Sequence, residues 1–271
     1  MELVILSPTY GENIPMAYEF DIGGLSMSYG SKPALRDISC RIPPKKVSAL
    51  IGPSGCGKSS FLSCMNLLYR SHRNAKVEGS IQWRGENLLN RTKGLQALRK
   101  DIGTLFQQAT PFPTSIKKNL WIPLKEHFTL GSSALEWEVE KVLRTVGLWQ
   151  DVKDKLNHSA LSLSGGQMQR LCLARALTLQ PQVILMDEPC SALDPLSTET
   201  IEHLIQELKE SITIVLVTHN LAQARRIADH VFLFWHEDAT GGFLEASAPS
   251  QEFFLTPPSA ISRKYIEGLA G

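Results

Sequence analysis

Eight consecutive residues, Gly52-Pro53-Ser54-Gly55-Cys56-Gly57-Lys58-Ser59, have the spacing G-x-x-x-x-G-K-[ST]. Glycines at those places let successive backbone N–H groups turn inward around phosphate oxygens, and a helix starting at the loop's end adds a favourable dipole. Lys58 reaches toward β- and γ-phosphates, and the Ser59 hydroxyl can ligate Mg²⁺. Further on, Val183-Ile184-Leu185-Met186-Asp187-Glu188 is an apolar run that ends on two carboxylates. A buried strand of that kind delivers its acids to the carboxyl edge of a parallel sheet, where α/β folds bind their ligands. Asp187 is expected to hold Mg²⁺ through its water shell and Glu188 to polarise an attacking water. A strand ending in solvated acids is the plainer reading, and the neighbouring phosphate loop decides against it.

These groups need elements to aim them. Val47–Ile51 is a short apolar strand running straight into the glycines, and Ser59–Leu68 carries Phe61, Leu62, Met65, Leu67 and Leu68 as a buried helix should. Residues 77–108 read as further strands, with a turn at Arg84-Gly85-Glu86-Asn87. The stretch 115–178 reads as mostly helical: Leu135, Val139, Val142, Leu143 and Val146 recur at helical spacing and Gly147 marks a stop. Strands are expected at Val183–Met186 and Ile212–Val217, with an exposed helix over Leu196–Glu210 between them. Strands alternating with helices imply a parallel sheet covered on both faces, with a helical lobe inserted between its early and late strands.

Composition narrows the class. A hydrophobic fraction of 43% and a net charge of +1 give no global attraction to nucleic acid or anionic lipid, so no nucleic-acid partner is expected. The five cysteines are scattered without a C-x-x-C pair, which argues against a disulfide framework or a zinc cage. Residues 1–17 read as a loose leader, with no basic start and only the short apolar run Leu3–Leu6, unlike a secretory signal. No run approaches the ~18 apolar residues of a spanning helix, so any membrane served is reached through a partner.

Leu163-Ser164-Gly165-Gly166-Gln167, followed by the helical stretch Met168–Leu179, is a second candidate anion site. Ser164 can cap the helix and the glycines let backbone N–H groups approach a phosphate. With this segment about twenty residues before the acidic strand, the sequence resembles the ATP-binding-cassette family. The resemblance implies that Ser164–Gln167 faces the nucleotide of another subunit, giving a head-to-tail homodimer with two ATP molecules between the chains. It assigns Gln107 to the loop that senses Mg²⁺ and the attacking water, and Asp194, in Ser191-Ala192-Leu193-Asp194, to a contact across the dimer. His219 becomes the switch histidine near the γ-phosphate and Tyr29 the aromatic that stacks on adenine. Gln107 joins Ser59 and Asp187 as a Mg²⁺ contact, and Ser60 joins the loop as an ATP contact.

The implied fold is an α/β, RecA-like P-loop NTPase core with an antiparallel β subdomain and an inserted helical signature subdomain. One domain is expected over 18–270: core at about 18–110 and 180–240, helical subdomain at about 111–179, and a C-terminal tail at 241–271.

Several segments look more narrowly like the ATPase subunit of bacterial phosphate importers: Ile51–Ser59 with Phe61-Leu62 and Asn66, Ala75–Gly79, Pro111-Phe112-Pro113-Thr114-Ser115-Ile116, Val217–Asn220 and Tyr265-Ile266-Glu267-Gly268. That likeness implies a peripheral subunit on the cytoplasmic face of the cell membrane, docked on two permease subunits and served by an external phosphate-binding protein. Cys190 and Ser60 stand where the family usually has Thr, which removes no catalytic group. Arg84–Leu98, Trp121–Leu135 and Trp235–Gly242 diverge more. They leave import of another cargo, such as polar amino acids, as the alternative.

Overall fold

A computed structural model describes residues 18–237 and 240–269; the leader at 1–17 and part of the divergent Trp235–Gly242 stretch lie outside them. The chain opens with long strands β1 (Phe20–Tyr29) and β2 (Lys32–Ile42), then the short β3 (Val47–Ile51) and helix α1 (Lys58–Met65). Next come β4 (Ala75–Trp83), β5 (Glu86–Asn87), α2 (Leu95–Asp101) and β6 (Ile102–Leu105). The helical stretch holds α3 (Ile116–His127), α4 (Ser132–Thr145), α5 (Trp149–Val152) and α6 (Gly165–Leu177). The chain returns through β7 (Val183–Asp187), α7 (Pro195–Leu208), β8 (Thr213–Val217) and α8 (Leu221–Ile227). It closes with β9 (His230–His236), β10 (Gly242–Pro249), α9 (Ser250–Leu255) and α10 (Ala260–Ile266).

The strands form one sheet in the order β5-β4-β1-β2-β10-β9-β3-β8-β7-β6. From β9 to β6 the neighbours run parallel, and β1, β2, β4 and β5 form an antiparallel wing. Every residue of β3 and β8 is buried, as helix-covered parallel strands require. Because the strands are parallel, Ile51, Leu105, Asp187 and Val217 all finish at one edge, and the loops leaving that edge carry the candidate chemistry.

Four expectations change. The helix after the loop ends at Met65 rather than Leu68, because buried Asn66 donates to Thr104 Oγ1 (2.8 Å) and accepts from the Leu68 amide (3.0 Å). This draws Leu67 into the left-handed region at φ 58° and stops the helix. Residues 77–108 are not all strand: α2 lies within them, with only Leu98 buried. The helix over Leu196–Glu210 is amphipathic rather than exposed, burying Ile201, Leu204, Ile205 and Leu208. Finally, β9 and β10 form an antiparallel pair in the middle of the sheet, joining β2 of the wing to β3 of the parallel strands, which the sequence did not announce.

The candidate nucleotide site

Gly52 lies one residue past the end of β3 at φ 137°, and a Cβ there would fall 2.0 Å from the Phe234 carbonyl oxygen of β9. Only glycine lets the loop leave the strand along this path. Gly55 (φ 84°) and Gly57 (φ 90°) also lie where side chains are strained, and a Cβ on Gly57 would meet the Ala34 carbonyl at 2.6 Å. The loop thus turns around its own backbone, with Pro53 half-buried, Ser54, Gly55 and Ser59 open to solvent, and Ser60 half-buried on α1. Lys58 is buried and donates to the carbonyls of Gly52 (2.8 Å) and Pro53 (2.7 Å), with Cys56 Sγ at 3.4 Å. Cys56 is fully buried; burial pushes its thiol up, against the pull of Lys58.

At the neighbouring strand ends, Asp187 closes β7 and Glu188 follows at φ 46°, a strained conformation for a non-glycine residue. The turn is held by Glu188 N–H donating to the Val217 carbonyl (3.0 Å), and by the Ser191 N–H (3.2 Å) and Oγ (3.1 Å) donating to the Glu188 carbonyl. The result aims one carboxylate oxygen at two partners. Gln107 Nε2 donates to Glu188 Oε2 at 3.1 Å, and His219 Nδ1 lies 3.1 Å from the same oxygen. Gln107 also reaches Ser191 Oγ at 3.4 Å. Three residues 31 to 112 positions apart therefore meet at one atom. Burial lifts the Asp187 carboxyl above its ordinary value, while a hydrogen bond from the Ser59 hydroxyl opposes that rise.

Ser59 and Asp187 supply hard oxygen donors side by side, and such a pair suits Mg²⁺, which takes few protein ligands and fills the rest with phosphate oxygens and water. Among the described residues no group of three or more His, Cys, Asp or Glu gathers as a transition-metal site would. Tyr29 sits half-buried at the tip of the β1–β2 hairpin, its ring edge-on to His72 with centroids 5.5 Å apart. The same hairpin leads into Ala34, the residue against Gly57.

Ser164–Gln167 lies apart, at the start of α6. The Ser164 hydroxyl accepts from the Gln167 N–H (3.3 Å), as expected of a helix cap, and Gln167 Oε1 accepts in return from the Ser164 N–H (3.1 Å), completing a capping box. The two glycines differ. Gly165 is exposed, whereas Gly166 is buried, with its Cβ position 2.4 Å from Ser197 Oγ of α7. Close packing on α7 is therefore a reason of its own for glycine at this position. Asp194 caps α7, accepting from Ser197 N–H (3.0 Å) and Oγ (2.6 Å), and those bonds hold its carboxyl below the usual value. Sequence reasoning missed Asp151, which binds Arg170 (3.0 Å) and Gln167 Nε2 (3.4 Å) and so steadies the capped turn from α5. Nothing in its local sequence marks it.

An acid-tipped strand, a phosphate loop and a separately capped glycine turn on one sheet framework define a P-loop ATPase of the cassette type, and residues 35–191 match the ABC transporter family model. The chain belongs to the ABC transporter ATP-binding family. It is 47% identical over 247 residues to the phosphate import ATP-binding protein PstB 1 of Nitrosococcus oceani, covering 91% of this chain and 89% of that one. It is 44% identical over 250 residues to PstB 3 of Synechocystis sp., covering 92% of each. The solved structure of CbiO1 from Clostridium perfringens, part of the ABC transporter complex CbiONQ, shares the fold, with a TM-score of 0.75 and 24% identity over 89% of this chain and 92% of that chain. The ATP-binding cassette MJ0796, solved as a dimer in a post-hydrolysis state with ADP and Pi, aligns with a TM-score of 0.72 and 27% identity over 85% of this chain and 98% of that one.

Proposed function

We propose that this protein is the ATP-hydrolysing subunit of a phosphate importer, and that the observation carrying the catalytic half of this reading is the meeting of Gln107 and His219 on Glu188 Oε2. A carboxylate held by two neighbours and a strained backbone is positioned to orient a water rather than to pack. The phosphates of ATP lie in Gly52–Ser59 with Ser60, and Lys58 exchanges its bonds to the Gly52 and Pro53 carbonyls for β- and γ-phosphate oxygens. Adenine stacks on Tyr29. Ser59, Asp187 and Gln107 would hold Mg²⁺, which would supply charge neutralisation at the phosphates.

Glu188 accepts a hydrogen bond from the attacking water, polarising it, and lines it up with the γ-phosphate. His219 steadies both that carboxylate and the phosphate it faces. The Ser164–Gln167 turn of a second copy closes the other side of the nucleotide, and Asp194 contacts that copy. Hydrolysis removes the bridge and lets the two chains part, and this opening and closing drives a permease between two states. No helix among the described residues is long and apolar enough to cross a membrane, which fits a subunit that works on its cytoplasmic face through two permease partners. The cargo reading rests on the relatives named for phosphate import, with an external phosphate-binding protein delivering it.

The test is radiolabelled phosphate uptake in cells lacking their own phosphate-import ATPase, given either this chain or its Glu188→Gln variant. The parent should restore uptake. The variant should bind ATP with near-parental affinity, yet lose uptake and at least about a hundredfold in turnover. Restored uptake of polar amino acids instead of phosphate would overturn the cargo, and normal turnover in the variant would overturn the role of Glu188.

A further inference from the structure

The phosphate loop is gripped by three late elements of the chain, β9, β10 and α10. On β9 the Phe234 carbonyl closes over Gly52, and on β10 Gly242 packs so tightly that a Cβ there would lie 1.9 Å from the Cys56 carbonyl oxygen. These are contacts of shape. The third contact is polar: the Gly52 N–H donates to the Tyr265 hydroxyl of α10 at 3.2 Å, across 213 positions of sequence. The same Gly52 accepts Lys58 Nζ on its carbonyl at 2.8 Å. One glycine thus joins the C-terminal helix on its amide side to the phosphate-binding lysine on its carbonyl side.

Tyr265 is 8% exposed, and its ring stands edge-on to Trp235 with centroids 6.0 Å apart, within an apolar cluster containing Ile51, Leu233 and Phe253. Phenylalanine would fill that cluster equally well. A buried hydroxyl costs stability unless it is bonded, so its presence is explained by the Gly52 amide it serves. Burial also raises the phenol's pKa, keeping it a neutral hydroxyl.

We propose that Tyr265 is a positioning residue for the phosphate loop, its hydroxyl fixing the Gly52 peptide so that loop and Lys58 are preset for the phosphates of ATP. This rests on the reading of Gly52–Ser59 as the ATP site. It gives the C-terminal helix a part in nucleotide binding although it touches no nucleotide.

In Tyr265→Phe the ring packing survives and only the hydroxyl is lost. The Michaelis constant for ATP should rise about 5- to 10-fold while kcat falls less than twofold and the melting temperature moves by no more than about 2 °C. A purely structural tyrosine would instead lower the melting temperature, or reduce kcat with the folded fraction, leaving the Michaelis constant within twofold of the parent; that result overturns the proposal. Amide hydrogen exchange on the parent chain gives a second judgement that does not depend on the variant's folding. Gly52 should exchange far more slowly than the exposed Ser54 and Gly55, and equal rates would overturn the bond. A parent that binds no ATP at all would count against the functional reading instead, with the exchange at Gly52 still deciding whether the bond holds.

Discussion

The Gly52–Ser59 loop and the Ser164–Gln167 turn both end at a helix N-terminus, yet they are held in different ways. The loop is packed from outside: β2, β9, β10 and α10 all press on its backbone, and Lys58 is folded onto its carbonyls. The turn is capped by its own two polar side chains, with Asp151 bonded to Gln167 and Ser197 against Gly166, and leaves Ser164 and Gly165 facing solvent. On the proposed reading, the chain carries one half of its ATP site as a packed loop and presents the other half outward for a second copy to use. A preset half keeps the ordering cost of binding low, and an exposed half makes completion of the site depend on association.

Side chains added where the backbone is tightly packed, at Gly52 or at Gly166, should damage the fold, whereas changes at the exposed Ser164 and Gly165 should damage turnover alone. The largest effect is expected for Gly52→Ala. Its methyl would collide with the Phe234 carbonyl at a backbone angle that suits glycine, and a loss of about 3 kcal/mol or more should appear as a much lower urea midpoint. A near-parental midpoint would break the picture of an externally clamped loop. A smaller loss, about 1–2 kcal/mol, is expected for Gly166→Ala, whose methyl meets Ser197 at 2.4 Å. Adding Ser197→Gly should recover most of it, and a lack of coupling in that double-mutant cycle would show that Gly166 serves something other than packing on α7.

The smallest effect separates stability from function within the site. Burial lifts the Asp187 carboxyl, so the ionised group's burden on the fold is absent below the ordinary carboxylate range, grows as pH rises from there, and is complete above the raised value. Asp187→Asn should then raise the melting temperature by about 1–3 °C at neutral pH and confer no advantage below the ordinary carboxylate range, while weakening binding of ATP with Mg²⁺. A lower melting temperature for the variant at neutral pH would contradict the desolvation argument.

The parts of the site legible in sequence were those encoded within one short segment. The loop's glycines, the acids closing β7 and the Ser164–Gln167 cap each carry their own geometry, so spacing alone was informative. The approach of Gln107 and His219 to Glu188 was legible only through family resemblance, since parallel strand order, not chain proximity, brings them together. What escaped depended on partners far along the chain. Asn66 ends α1 through Thr104, and α2 buries one leucine too few to show a helical stripe. Tyr265 was visible as part of a familiar closing segment, but its bond to Gly52 has no local signature. The packing of Gly166 on α7 likewise has no local signature.

The most direct test of the central claim is to mix two inactive variants, Lys58→Ala on the packed half and Gly165→Asp on the exposed half. If each ATP lies between the loop of one chain and the turn of another, a mixed dimer has one site carrying both lesions and one site carrying neither. Equal mixing should then restore turnover to roughly a quarter of the parental rate, because about half the dimers are mixed and each has one sound site of two. A mixture as inactive as its two components would mean that both halves of the site act within a single chain, contrary to this account.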